Sequence, residues 1–113
     1  MKEIKAYFRP EKADNIIFEL ERAGLNRMTI IDVSTIGKWA DPEKSQLSLA
    51  FCEKYCSAIK LEAICDDKEV EKYVDIILRT AHTGRKGDGK IFVSDISDAI
   101  SIRTNEHGTK AIE

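Results

Sequence analysis

The chain has no uninterrupted apolar run approaching the ~20 residues that a membrane-spanning helix requires. Its start, Met1-Lys2-Glu3-Ile4-Lys5, passes straight into charged, alternating sequence and lacks the apolar segment of a secretory signal. Aromatic residues are scarce at 7%, so aliphatic side chains must supply most of any core. An excess of positive charge is also missing. Eighteen Lys and Arg stand against 20 Asp and Glu, giving a net charge of −2, whereas a general nucleic-acid binder carries a strongly basic face. The three cysteines, Cys52, Cys56 and Cys65, are too few and too sparsely spaced for a disulfide framework. A closed zinc site needs four Cys or His ligands, usually as two short-spaced pairs. Free thiols in a reducing compartment fit better, with Cys52 and Cys56 the pair spaced for a redox or metal role. The two histidines, His82 and His107, have no Ser or Cys neighbour that would make a nucleophile–base pair, so no enzyme is expected. These absences leave a soluble, cytoplasmic, single domain over residues 1–113, whose 42% hydrophobic content suffices for a core.

Ile4, Ala6 and Phe8 alternate with Glu3, Lys5, Tyr7 and Arg9, which predicts a half-buried strand ended by Pro10. Ile16, Ile17, Leu20 and Ala23 recur at helical spacing, and Gly24 stands where a helix closes with positive φ. Met28 to Val33, rich in β-branched residues, reads as a central strand. Residues 37–55 break the pattern, with Leu47 to Tyr55 a short helix or strand inside them. An excursion of that length in so small a domain is usually functional or mobile. Ile59, Leu61, Ala63 and Cys65 form a third strand, and Asp66 with Glu69 resembles a capping box opening a second helix. The buried stripe of that helix is expected to be Val70, Tyr73, Val74, Ile77 and Ala81. A glycine-rich turn leads to a fourth strand at Ile91 to Val93. A helical turn at 95–100, an extended piece at 101–104 and a loose tail over 105–113 complete the chain.

Two strand–helix–strand units in this order interleave into the ferredoxin-like α+β arrangement, a double βαβ. It is a four-stranded antiparallel sheet with both helices on one face and a long loop between strands 2 and 3. Met28, Ile30, Ile64 and Phe92 are candidates for an apolar open face, which predicts a homo-oligomer.

The segment Thr83-Gly84-Arg85-Lys86-Gly87-Asp88-Gly89-Lys90 combines three glycines with Arg85, Lys86 and Lys90. Glycines let backbone N–H groups converge on a phosphate chain. It is not a P-loop: Ile91 stands where a Ser or Thr should hold magnesium, and the turn leaves a helix to enter a strand. The string Thr83-x-x-x-Gly87-Asp88-Gly89-Lys90-Ile91-Phe92-Val93-x-x-Ile96 resembles the C-terminal signature of the nitrogen regulatory P-II family. Met1-Lys2, Arg9-Pro10, Gly24-Leu25, Met28-Thr29, Gly37, Lys60-Leu61-Glu62, Asp66-Asp67 and Ile102-Arg103-Thr104 extend the likeness along the chain.

The resemblance implies a cytoplasmic homotrimer that binds ATP or ADP between subunits, with magnesium accompanying ATP and no catalytic cofactor. It would signal in nitrogen or carbon metabolism or transport by moving the 37–55 loop, the T-loop, against a regulated enzyme, transporter or regulator. Neither nucleic acid nor direct membrane insertion is implied. Carried over by position, Gly87, Asp88, Gly89 and Lys90 cradle the phosphates, with Gly37 and Thr83 beside them and Lys38 in place of the family's Arg near the γ-phosphate. Arg103 reaches in from the neighbouring subunit, and Thr29, Glu62 and Ile64 frame the adenosine. Trp39, Leu47, Leu49 and Phe51 are the loop's candidate partner contacts.

The departures lie at the effector end. Trp39 replaces a magnesium-binding Gln, Ala58 the Lys that grips 2-oxoglutarate, and Ser101 a second phosphate-facing Arg. Phe51 replaces the uridylylated Tyr and Leu47 an Arg, while Ser48-Leu49-Ala50 stands where that Tyr's motif would be. The usual 2-oxoglutarate and uridylylation sites are therefore expected to be lost. Alternatives are a sensor of an AMP-type nucleotide or a metal, a weak ATPase, or a metal- or amino-acid-binding module of the same fold.

Overall fold

A computed structural model describes residues 1–37, 40–48 and 53–113. Lys38, Trp39, Leu49, Phe51 and Cys52 lie outside the described residues, so the expectations placed on them are not addressed by it.

The chain forms β1 (Lys2–Phe8), α1 (Ala13–Arg22), β2 (Thr29–Ile36), β3 (Gln46–Ser48), β4 (Glu53–Cys65), α2 (Val70–Ala81) and β5 (Gly89–Asp95). The sheet order is β2-β4-β1-β5 with every neighbour antiparallel, and the short β3 pairs the free side of β4's first residues. This is the expected ferredoxin-like double βαβ, with one added strand inside the 37–55 segment. Ile4, Ala6 and Phe8 are buried, as their alternation requires, against Ile59, Leu61, Ala63 and Cys65 of β4. Ile16 and Leu20 of α1 and Tyr73, Ile76, Ile77 and Ala81 of α2 close the core from one side of the sheet. Helix α1 ends as its glycine implies. Gly24 takes φ +105°, its N–H donates to the Glu21 carbonyl at 3.0 Å, and the Leu25 N–H donates to Leu20 at 3.0 Å.

Six local expectations need correction. Strand β2 is an edge strand rather than a central one, and Ile30 and Ile36 are exposed along it. Its apolar content is not consumed inside the chain. The buried stripe of α2 takes in Ile76, whereas Val70 and Val74 are only partly covered. Asp66 makes no side-chain cap: the turn before α2 is closed by the Glu69 N–H on the Asp66 carbonyl, and the Glu69 carboxylate instead pairs with Lys72 at 2.7 Å. Residues 96–99 form no helix and 102–104 are a turn rather than extended. In the tail, residues Gly108–Ile112 make a short 3-10 helix, and Ile100 bridges His107.

The register also sorts the open face. Thr29, Ile31 and Val33 lie beside Glu62, Lys60 and Ala58, which in turn flank Lys5 and Tyr7, then Phe92 and Lys90. Ile64 and Phe92 are therefore on the open face as expected, joined by Ile31 and Val33. Ile30 instead pairs with Leu61 on the helix side, and Met28 packs against the core. The face is mixed: Phe92 meets Tyr7 edge-on at 6.1 Å, and Lys60 lies 5.8 Å over the Tyr7 ring.

Candidate functional site

At the end of α2 the chain turns out at His82, whose ψ of 131° is extended, and enters the glycine-rich turn. That turn is built around one carboxylate. Asp88 accepts the Thr83 N–H at 2.8 Å, the Gly84 N–H at 2.9 Å, the Thr83 hydroxyl, and the Arg9 Nε–H at 3.1 Å. Burial pushes the Asp88 carboxyl upward, but the Thr83 hydroxyl and amide, the Gly84 amide and Arg9 outweigh it, so the group lies well below the ordinary carboxylate range. Its side chain thus shapes the turn from inside. Lys86 and Lys90 are exposed, and among the described residues neither has a carboxylate within ion-pair distance.

Two glycines here are fixed by their surroundings. Gly87 has φ +105° and lies directly over Asp41, where an added Cβ would stand 2.7 Å from the Asp41 Cβ. Gly89 has φ +116°, and a Cβ there would fall 1.7 Å from the Tyr7 carbonyl oxygen.

Beneath the turn lies a charge network that sequence reasoning did not find. Arg9, only 5% exposed, donates to Asp41 through Nη1, to Asp88 through Nε, and to the Lys86 carbonyl through Nη2 at 3.1 Å. Arg85 Nη2 reaches the same Asp41 oxygen, Oδ2, at 2.5 Å and sits 3.6 Å from Glu43. The other Asp41 oxygen accepts the Glu43 N–H at 2.9 Å. Arg9, the Glu43 amide and Arg85 hold the Asp41 carboxyl down to about 2. The network borders a cleft of about 170 Å³ whose wall includes Tyr7, Thr35, Lys44, Cys56, Ser57 and Ala58. Arg9 follows a strand and precedes a proline, as many surface arginines do. Its partners lie 32 and 79 residues away, beyond any periodicity.

The sequence-predicted residues fall into two groups. Gly37, Thr83, Gly87, Asp88, Gly89 and Lys90 gather at the end of the sheet where β2 finishes and β5 begins. Thr29, Glu62 and Ile64 sit farther along the sheet, in a shallow hollow of about 460 Å³ shared with Arg27 and the tail residues Ala111 and Ile112. Arg103 is exposed on a turn after β5. By the register, Thr29 and Glu62 are level with Phe92 and Ile64 with Ser94, three and five residues along β5 from Gly89, about 10–17 Å in the strand direction, and they lie on other strands of the sheet. One copy of the chain does not bring them together. Leu47 sits in β3 opposite Lys54. Cys56 and Cys65 are free thiols, and burial pushes the Cys65 thiol up. Among the described residues, no cluster of three or more His, Cys, Asp or Glu could hold a metal, and no helix is long and apolar enough to cross a membrane.

The chain with this fold and glycine-rich turn matches the family model of nitrogen regulatory protein P-II over residues 1–106. The chain belongs to the P-II family. It is 38% identical to nitrogen regulatory protein P-II 1 of Methanothermobacter thermautotrophicus, with 99% of this chain and 97% of that protein aligned. It is likewise 38% identical to nitrogen regulatory protein P-II of Bradyrhizobium diazoefficiens, covering 99% and 100% of the two chains. Against nitrogen regulatory protein P-II of Nostoc punctiforme the figures are 35%, 99% and 100%. These P-II relatives carry the names of regulators.

Proposed function

We propose that this P-II chain is a signal-transduction protein that senses adenine nucleotide, ATP or ADP, in a site shared between copies of itself. The observation that carries the reading is the separation of two half-sites in one chain. A glycine turn with two exposed lysines lies at one end of the sheet, a hollow lined by Thr29, Glu62 and Ile64 lies farther along it, and Arg103 is exposed on the turn after β5. A head-to-tail contact would join the first half of one copy to the second half of the next, and such a contact closes into a ring when its rotation divides a full turn. The homotrimer implied by the P-II resemblance is the ring we assign. The exposed apolar edge of β2 and the mixed open face supply surface for it.

In the joined site, backbone N–H groups of Gly87–Lys90, with Lys90, Lys38 and the neighbour's Arg103, would offset the phosphate charge. Gly37 and Thr83 hold the walls of the turn, and magnesium would accompany ATP. The 37–55 segment, with Trp39, Leu47, Leu49 and Phe51, is the surface offered to a regulated enzyme, transporter or regulator. The reading is of a cytoplasmic, non-catalytic protein.

The usual 2-oxoglutarate response is proposed to be lost. Ala58 offers no cation, Lys60 is turned onto the Tyr7 ring and lies 3.7 Å from Glu62, and every donor-bearing nitrogen of Arg9 is already bonded. Calorimetric titration with ATP, ADP and AMP tests the nucleotide reading. Saturable binding of at least one of them is expected, and binding of none would refute it. Titrating 2-oxoglutarate into protein saturated with Mg-ATP should give no saturable heat.

A further inference from the structure

Two guanidinium groups from distant parts of the chain converge on a single oxygen. Arg9 Nη1 and Arg85 Nη2 both bond Asp41 Oδ2, and the Glu43 N–H bonds Oδ1, so one carboxylate is held by three donors. The carboxylate is buried, with Asp41 only 2% exposed, at the wall of the cleft that Thr35, Ser57 and Lys44 also line. Paired cations around a buried point usually mark the seat of a bound anion, because charge-assisted bonds there are strong and directional. Here the anion comes from the chain itself, on the segment that joins β2 to β3.

We propose that Asp41 is a built-in occupant of an anion-binding seat. Its carboxylate takes in cis the position that Arg9 and Arg85 would otherwise offer to the carboxylate of a small organic acid. The cleft is therefore closed to free carboxylates as long as Asp41 is present, and the loop base is fixed to the glycine-rich turn without any effector. Arg9 and Asp41 line the same cleft as Ser57 and Ala58, so emptying the seat would enlarge that cleft beside the Arg9 guanidinium. Nothing in this inference needs a nucleotide or a particular assembly.

The test is to shorten residue 41 and add small carboxylates. Asp41→Ala and Asp41→Ser both vacate the seat, while Asp41→Asn keeps it filled with a neutral group of the same shape. Each variant and the unaltered protein would be titrated calorimetrically with acetate and with 2-oxoglutarate, and inorganic phosphate would distinguish a carboxylate seat from a general anion site. Asp41→Ala and Asp41→Ser are expected to bind a carboxylate at least about tenfold more tightly than the unaltered chain and Asp41→Asn. Adding Arg9→Met to Asp41→Ala should remove that gain. Variants that fold only once acetate is supplied also support the proposal.

Folded Asp41→Ala and Asp41→Ser proteins with no gain in carboxylate affinity would overturn it, as would variants that stay unfolded at high acetate. A preference for phosphate over both carboxylates would overturn the assigned ligand class. Failure of the short variants leaves the lost effector response standing, whereas tight 2-oxoglutarate binding by the unaltered protein refutes both.

Discussion

Replacing Gly89 by alanine should damage the fold far more than replacing Gly37, although both glycines have positive φ and both belong to the proposed nucleotide site. At Gly37, φ is +85° and an added Cβ meets nothing within 4 Å. The cost there is the backbone strain alone, about 1–2 kcal/mol. At Gly89, φ is +116° and the added Cβ would lie 1.7 Å from the Tyr7 carbonyl oxygen and 2.7 Å from its carbon. Neither is a side-chain tip that can swing aside, so strands β1 and β5 must move apart by more than an ångström. Phe8 pairs with Gly89 at that point, and β1 is a central strand with a buried face. Adding the loss of one or two ladder hydrogen bonds, about 1 kcal/mol each, to a comparable or greater strain gives about 3–5 kcal/mol in all. Urea unfolding followed by circular dichroism reads both variants. Gly89→Ala should lose roughly three times the stability that Gly37→Ala loses, or fail to fold. Equal losses at the two positions would refute the reasoning. The same clash makes Gly89, and Gly87 over Asp41, poor probes of phosphate binding, since the fold requires them with or without a ligand.

Two other outcomes follow from the charge network and from assembly. The Asp41 carboxyl is lowered from 3.8 to about 2, so its pairing contributes stability that is present above about pH 4 and lost as the pH falls toward 2. Acid unfolding of Asp41→Asn should be shallower than that of the unaltered chain across that interval, and superimposable curves would count against the network. Light scattering at micromolar concentration should return the mass of a trimer, and a monomer mass would remove the shared-site reading.

Much of the frame is legible in residue order, and the reasons differ by element. Strand β1 is legible because only one of its faces is buried by its own chain, so polarity alternates along it. Strand β2 misleads because its apolar residues are not used by the single chain: a run that reads as central lies at an edge with Ile30 and Ile36 exposed. Helix α2 shifts its stripe because Ile76 joins the buried core where α2 lies against α1, leaving Val70 and Val74 at the margin. Gly24 is read correctly since the requirement for positive φ is local. The Asp66–Glu69 pair has capping-box spacing, but Glu69 finds Lys72 instead. The glycine-rich turn is visible as a candidate phosphate loop, yet its dependence on Asp88 as an internal brace is not. Arg9, Asp41 and Arg85 carry no mutual signal at all, because ion pairs across the fold leave no period in the sequence.

The central claim is that one nucleotide site is assembled from two copies, with Lys90 from one and Arg103 from the next. Mixing tests it directly. Lys90→Ala and Arg103→Ala are prepared separately, each expected to bind ATP at least about tenfold more weakly than the unaltered protein. The two variants are then unfolded, combined in equal amounts, refolded and titrated with ATP by calorimetry. In randomly mixed trimers about one quarter of the sites contain an intact Lys90 facing an intact Arg103, so about one quarter of the tight sites should return. Recovery of no tight sites, with each variant alone defective, would contradict a site shared between subunits.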